Sequence, residues 1–476
     1  MLFSSAIFLF VFLPVVFLLS RLLPGIRAKN LLLTVASLIF YAFGQLYYLP
    51  LFLLSVAINY LSGVLLMRRE GNRRAVLSVS VVLNLGILCL FKYTDFLLAN
   101  VNALTGAAIP ATGIVLPIGI SFFTFQGLSY VIDVYRDPDA GTRDFLRLLL
   151  YISFFPQLIA GPIVKYHDIS AQIDQREASA EDAASGVMRF CLGLSKKILI
   201  SNAVGKVADI VFDTYLPVFG SGLDFRLALL GAVCYSLQIY FDFSGYSDMA
   251  VGMGRMFGFR IPENFRLPYA ADSIQDFWRR WHISLSSWFR EYLYIPLGGN
   301  RKGRFRTAFN RLFVFLCTGF WHGANWTFLV WGLGHGLLSS LEGAGLIPAK
   351  RLSRSRGGRL LCRVYTLAAV VLLFVIFRAD NLSAAFALIA AIFSGHIAAD
   401  GGFLLRELLP PATVFVLLVA LLSSGRLADR AKAALSGGGQ RPVVRAASFL
   451  LCLALYLLSV MSLSRGGFNP FIYFQF

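Results

Sequence analysis

The chain has 476 residues, a formal charge of +18, 57% hydrophobic residues and only 14% charged ones, with a mean hydropathy of +0.70. Soluble domains carry about 25% charged residues, so an ordinary soluble protein is excluded. Apolar runs recur from end to end, each near the roughly 20 residues that cross about 30 Å of hydrocarbon; they are continuous rather than alternating, which disfavours a β-barrel.

Taken in chain order, Ile7–Ser20, Leu31–Leu49, Leu51–Met67, Ala75–Phe91, Leu361–Phe377, Pro411–Leu422 and Phe449–Met461 are, or anchor, the spanning runs. The first has no basic segment before it and no small-residue cleavage site after Ser20, so it reads as a retained helix rather than a signal peptide. Basic residues cluster in short loops: Arg21, Arg27 and Lys29; Arg68, Arg69, Arg73 and Arg74; Lys350 to Arg363; and Arg426 to Arg445. This is the positive-inside pattern beside anionic lipid, and it accounts for the charge without nucleic acid. Loops 21–30 and 68–74 are therefore predicted to be cytoplasmic, with the N-terminus and the turn at Tyr48-Leu49-Pro50 outside.

The stretch from Ile114 to about Val134 contains Pro117, Gly119 and Gly127 and predicts a kinked or broken helix. Phe145–Ile163 ends in Phe155-Pro156-Gln157-Leu158-Ile159-Ala160-Gly161-Pro162, a second break of the kind that lines a cavity or is sheathed in protein. Val187–Ala208, with Lys196 and Lys197, and Leu227–Phe243 predict further apolar helices. Asp272–Leu293 predicts one helix with Phe277, Trp281, Leu285, Trp288 and Phe289 on an aromatic face. It is too polar to cross lipid and is expected to be interfacial or re-entrant. Leu297 to Arg304 is then a basic turn. Loops 350–363 and 426–445 should share a side, so one of the runs 364–377, 382–394 and 411–423 must be half-membrane or interfacial; 382–394, short and alanine-rich, is the expected one. About eleven crossings result.

His322, in Thr318-Gly319-Phe320-Trp321-His322-Gly323-Ala324-Asn325-Trp326, is the leading chemical candidate. An imidazole at membrane depth is costly unless it faces protein, water or reactant, and imidazole suits proton removal from a hydroxyl near neutral pH. Gly319 and Gly323 leave room for substrate or another helix; Asn325 and Trp326 add polar groups. For this reading the ring must border a hollow that both reactants reach. His282, in Trp278-Arg279-Arg280-Trp281-His282, is either a second site residue or the polar edge of an interfacial helix. His335, between Gly334 and Gly336, reads as helix packing, and His167 and His396 as loop residues. In Tyr240-Phe241-Asp242-Phe243-Ser244-Gly245-Tyr246-Ser247-Asp248, Asp242 could orient a histidine, bind a cation or merely face water at a helix end. The arginines and indoles of 277–306 suit an anionic donor or sugar rings, or equally a lipid-headgroup belt. The six cysteines (Cys89, Cys191, Cys234, Cys317, Cys362 and Cys452) have no paired spacing, so no disulfide framework or metal site is expected. No serine elbow, P-loop, dinucleotide or zinc-peptidase motif occurs.

With these stretches stand Leu116 to Gln126, Pro262-Glu263-Asn264-Phe265, Tyr294 to Asn300, Phe377-Arg378-Ala379-Asp380 and the closing Phe471 to Phe476. Together they resemble the membrane-bound O-acyltransferase family, in the bacterial branch that serves alginate O-acetylation. The likeness runs over nearly the whole chain. It implies an all-α polytopic fold around a central funnel: one membrane-embedded domain over 1–476, with N-terminal helices 1–110, a catalytic core 111–345 and C-terminal helices 346–476. It also implies catalysis at His322, with His282 at the family's upstream polar position. Trp321, Asn325, Asp242, Tyr246, Trp278, Arg279, Arg280 and Trp281 are the candidate cavity residues, Arg279 and Arg280 for donor phosphates. No permanent cofactor is implied; acetyl-CoA is the expected donor. The expected partners are a periplasmic or membrane-anchored SGNH-type acetyltransferase, a polysaccharide synthesis and export complex and membrane lipids, at the bacterial inner membrane. Rival readings are a D-alanyl or other acyl transferase for an envelope polymer, a polysaccharide or lipid transporter, and a scaffold for a secretion complex. Alginate, cellulose and peptidoglycan all remain open as acceptors.

Overall fold

The computed structural model describes residues 1–68, 71–159, 161–425, 442–466 and 472. Arg69, Ala160, most of the basic loop 426–445 and the closing motif apart from Ile472 lie outside the described residues. Among the described residues every regular element is helical. The chain divides into two compact units, Met1–Phe190 with Tyr246–Glu263, and Cys191–Gly245 with Asn264–Phe476.

In the first unit the helix Ile120–Arg136 is buried on nearly every face. Its entry explains the predicted kink. Gly119 takes φ 79°, a conformation that costs glycine little, and a β-carbon there would meet the Leu158 carbonyl at 2.8 Å. Leu49–Met67 and Arg73–Lys92 pack on this helix, and the buried amides of Asn59 and Asn84 exchange hydrogen bonds of 3.0 and 3.1 Å. Satisfied in this reciprocal way, two amides can sit between apolar helices. The second expected break is present: Phe145–Ser153 stops at Phe154 and a single buried turn, Phe155–Leu158, follows. Arg189 bridges Asp248, at 2.8 Å, and Glu263.

The second unit is organised by a helical hairpin, Gly303–His322 and Trp326–Ala344, joined by Gly323–Asn325. Glycines make the close approach possible. A β-carbon on Gly319 would run into the Phe328 carbonyl, one on Gly323 into the Phe328 ring, and one on Gly332 into the Phe315 carbonyl. The space beside Gly319 and Gly323 is thus taken by the partner helix, the small-residue packing common where lipid supplies no hydrophobic drive. Arg356–Arg378 packs against the hairpin, and Leu382–Ser394 against Arg356–Arg378.

Among the described residues five stretches are long and apolar enough to span a membrane, or six if the pair Gly401–Leu408 and Pro411–Ser424, bent by 74°, is one span. This is fewer than eleven because several apolar runs fold as short or interrupted helices. One of them, Gly25–Met67, is interrupted by a 3-10 turn at Leu46–Tyr48. The first run is a π turn, Phe8–Phe12, followed by Leu13–Leu22, and Leu382–Ser394 has 13 residues, short for a crossing as anticipated.

Two helix assignments are corrected. Asp272–Leu293 is not one helix but Ile274–Trp278, Ile283–Phe289 and a π turn, Arg290–Tyr294. The break falls at His282, whose φ of 43° is left-handed. Backbone pairing with a distant strand of chain imposes it: Arg266 N–H donates to the Arg280 carbonyl and Ile283 N–H to the Asn264 carbonyl. Asp242, expected at a helix end, lies inside the continuous helix Phe225–Met256.

Candidate active site

The site is built in the second unit from the helical hairpin and the broken segment that carries His282, with Asn264, Phe243 and Phe377 around them. His322 is the last residue of its helix; Gly323, with extended backbone, ends it, and the Asn325 carboxamide oxygen caps the next helix by accepting from Thr327 N–H at 3.2 Å. The hairpin therefore presents His322 at its tip. His282 comes from the broken segment, held in its left-handed conformation. A non-glycine residue with positive φ is uncommon and costs free energy, and such residues concentrate at functional sites.

The two imidazoles lie 6.4 Å apart, centroid to centroid, with ring planes at 63°. Trp321 is 5.9 Å from His282 and 4.9 Å from His322. Trp331 and Phe377 meet the His322 ring edge to face at 5.1 and 5.2 Å, and Phe243 does the same to His282 at 4.6 Å. His282 is 0% exposed and His322 5%, and both ring nitrogens of His322 are buried.

Asn264 fixes the chemistry of His282. Its Oδ1 receives the Ser284 N–H at 3.2 Å and the Ser284 hydroxyl at 2.9 Å, and it lies 3.2 Å from His282 Nδ1. Convergence of two other donors identifies this atom as the amide oxygen, so Nδ1 carries the hydrogen and Nε2 the lone pair. Burial lowers the His282 pKa to about 3. The ring is therefore neutral at physiological pH.

The other candidates divide. Trp278 and Trp281 join the same aromatic body: Trp278 is 5.7 Å from Trp331, and Trp281 is 5.1 Å from Phe265, which packs on Phe243 at 5.0 Å. Asn325 is occupied by the backbone, donating to the Asp380 carbonyl at 2.8 Å as well as capping its helix. Arg279 is exposed. Arg280 pairs with Asp276 at 2.9 Å and donates to the Arg266 carbonyl at 3.4 Å, so it supports the local turn. Asp242 forms a buried ion pair with Lys197 at 2.6 Å, the two side chains being 1% and 3% exposed, and accepts Ile472 N–H at 2.9 Å. It thus ties the end of the chain to the Phe225–Met256 helix, while the next residue, Phe243, contacts His282. Tyr246 belongs to the first unit, stacked on Phe3 at 4.3 Å. His167, expected in a plain loop, sits on the helix Tyr166–Asp174 and pairs with Asp133 at 2.9 Å.

Asn264 and Phe377 were visible only as parts of recurring stretches, with nothing local to assign them a role. Lys197 reads in sequence only as a lysine that could snorkel or face a cavity, because Asp242 lies 45 residues on, and nothing local marks Trp331. Among the described residues no group of three metal-ligating side chains converges.

Residues 136–346 match the model of the membrane-bound O-acyltransferase family. The chain is 39% identical, over the full length of both, to a protein of Azotobacter vinelandii named probable alginate O-acetylase. It is also 39% identical to the peptidoglycan O-acetyltransferase of Helicobacter pylori, over 81% of this chain and 78% of that one. Identity to the teichoic acid D-alanyltransferase of Bacillus subtilis is 28%, over 58% of this chain and 70% of that one. This chain belongs to the membrane-bound O-acyltransferase family. It is a multi-pass membrane enzyme of the O-acyl-transferring kind, similar to proteins named for acylating cell-envelope polymers.

Proposed function

We propose that the chain takes acetyl groups from acetyl-CoA on the cytoplasmic side of the bacterial inner membrane for O-acetylation of an exported polysaccharide such as alginate. Transfer is direct or passes through the serine of a periplasmic SGNH-type acetyltransferase, in company with the synthesis and export machinery. The observation that carries the reading is the approach of His282 and His322 at the hairpin tip, supported by full-length similarity to a protein named as an alginate O-acetylase.

His322 accepts the proton of the attacking hydroxyl as its oxygen bonds to the thioester carbonyl carbon. When the carbon–sulfur bond breaks, the same imidazole returns that proton to the departing thiolate, so no net proton is consumed. His282, held neutral, orients the acceptor or shares the proton through Nε2. Arg279, exposed on the basic side, is the better placed of the two arginines to meet donor phosphates. A funnel through the fold brings the two reactants to His322.

The protein in membranes, given labelled acetyl-CoA with and without a periplasmic partner, tests this. Label on glycan or protein supports acetyl transfer. Solute flux without label supports a transporter, and label only from a D-alanyl donor supports teichoic-acid-type chemistry.

A further inference from the structure

We infer that His335 is a positioning residue that sets the ring of His322 through Trp331. The inference rests on the acyl-transfer reading and deepens it.

His335 lies midway along Trp326–Ala344 and is 0% exposed. Four rings enclose it: Trp331 at 5.1 Å, Trp278 at 5.2 Å, Phe277 at 6.0 Å and Phe315 at 6.3 Å. Trp331, 1% exposed, contacts two imidazoles, His335 and, at 5.1 Å and 88°, His322. Its indole also packs at 5.0 Å on Phe377, which itself faces His322. Any shift of the His335 ring is therefore passed to two walls of the His322 enclosure, since close-packed rings move together or not at all.

The chemistry says this imidazole is not there for packing alone. Neither of its nitrogens has a hydrogen-bond partner among the described residues, and the same holds for the indole nitrogens of Trp278 and Trp331. Buried polar atoms left in this way cost stability, and a phenyl ring of similar shape would remove the cost. A residue that makes a core less stable than its apolar isostere would points to a role beyond packing, and the imidazole that shares the Trp331 ring with it is His322.

His335→Phe is the test, with His335→Gln as the variant that keeps a polar group. The Phe variant should melt at or above the wild-type temperature while kcat falls at least about tenfold and KM for acetyl-CoA stays within about threefold. The Gln variant should recover part of kcat. A readout that does not need turnover is the rate at which diethyl pyrocarbonate modifies His322, followed by peptide mass spectrometry. It should change by about threefold or more in His335→Phe, because a re-aimed ring differs in exposure and nucleophilicity. Equal modification rates with wild-type kcat would overturn the inference and leave the acyl-transfer reading intact. So would a kcat loss matched by a fall in melting temperature, which marks a structural role, or a KM rise at unchanged kcat, which marks direct substrate contact. A wild-type His322 that resists the reagent, together with no acetyl transfer, would instead remove the acyl-transfer reading and this inference with it.

Discussion

His282 Nδ1 lies 3.2 Å from the amide oxygen of Asn264, and the same oxygen receives both the backbone N–H and the hydroxyl of Ser284. One side chain thereby fixes the tautomer of an imidazole and the start of the helix that follows it. The left-handed backbone at His282 persists because the Asn264 and Arg280 carbonyls pair the two stretches of chain on either side of it.

Replacing Asn264 with alanine removes the acceptor for three donors at a buried site. Stability should fall by about 1–3 kcal/mol. Acetyl transfer per folded molecule should fall by at least about tenfold as the tautomer is released. Asn264→Asp should behave differently: a carboxylate beside His282 raises the pKa of the ring, so the acid side of the activity profile moves to higher pH. Thermal melting and a pH–rate profile on the two variants check both statements.

The Lys197–Asp242 pair is buried and short. Removing only the carboxylate, in Asp242→Asn, takes the counter-charge from a buried ammonium and should cost about 3–5 kcal/mol. Replacing both, as Lys197→Met with Asp242→Leu, should recover most of that loss in stability. A double-mutant cycle on melting temperature measures the coupling; additive effects would mean that the two groups act independently.

His167 offers a pH test in the first unit. Its hydrogen bond to Asp133 is the leading cause that raises its pKa above the usual imidazole value, with burial opposing. A raised folded-state pKa means that the pair stabilises fully below the unfolded-state value and that this contribution disappears as pH rises through the folded-state value. Melting temperature should therefore decline across the raised titration range from mildly acidic to alkaline pH. His167→Gln should flatten that part of the curve, and an unchanged slope in the variant would count against the pairing.

Gly319 has no room for a side chain, because a β-carbon would run into the Phe328 carbonyl, which is backbone and cannot swing aside. Gly319→Ala should push the hairpin apart and destabilise the protein by about 1–3 kcal/mol. Activity should fall further than stability does, since His322 ends the displaced helix. Gly86, with open space around it, is the control: Gly86→Ala should leave both unchanged or raise stability slightly.

What could be read from the chain, and what could not, follows the range of the interactions. The apolar runs, the break at Gly119 and the break near Pro156 are local consequences of composition, glycine and proline, and the folded chain has them where expected. Trp321-His322-Gly323 was conspicuous because a histidine amid apolar sequence is costly wherever it goes. The single helix expected over Asp272–Leu293 failed for the opposite reason: its aromatic periodicity is genuine, but hydrogen bonds from residues 264–266 interrupt it, and periodicity does not register a partner that far away. Asp242 shows the same blindness. Its residue type announced a polar role, yet whether it would meet a histidine, a cation or water depended on Lys197, 45 residues earlier, and on a backbone N–H near the end of the chain. Arg279 and Arg280 looked equivalent in sequence and are not, because only one of them finds Asp276 a helical turn away.

The most direct test is His322→Ala, assayed for acetyl transfer from labelled acetyl-CoA in membranes where the variant accumulates to the wild-type level. Loss of transfer by about 10²-fold or more is the result the proposed mechanism requires. Acetylation at the wild-type rate in such membranes would contradict it.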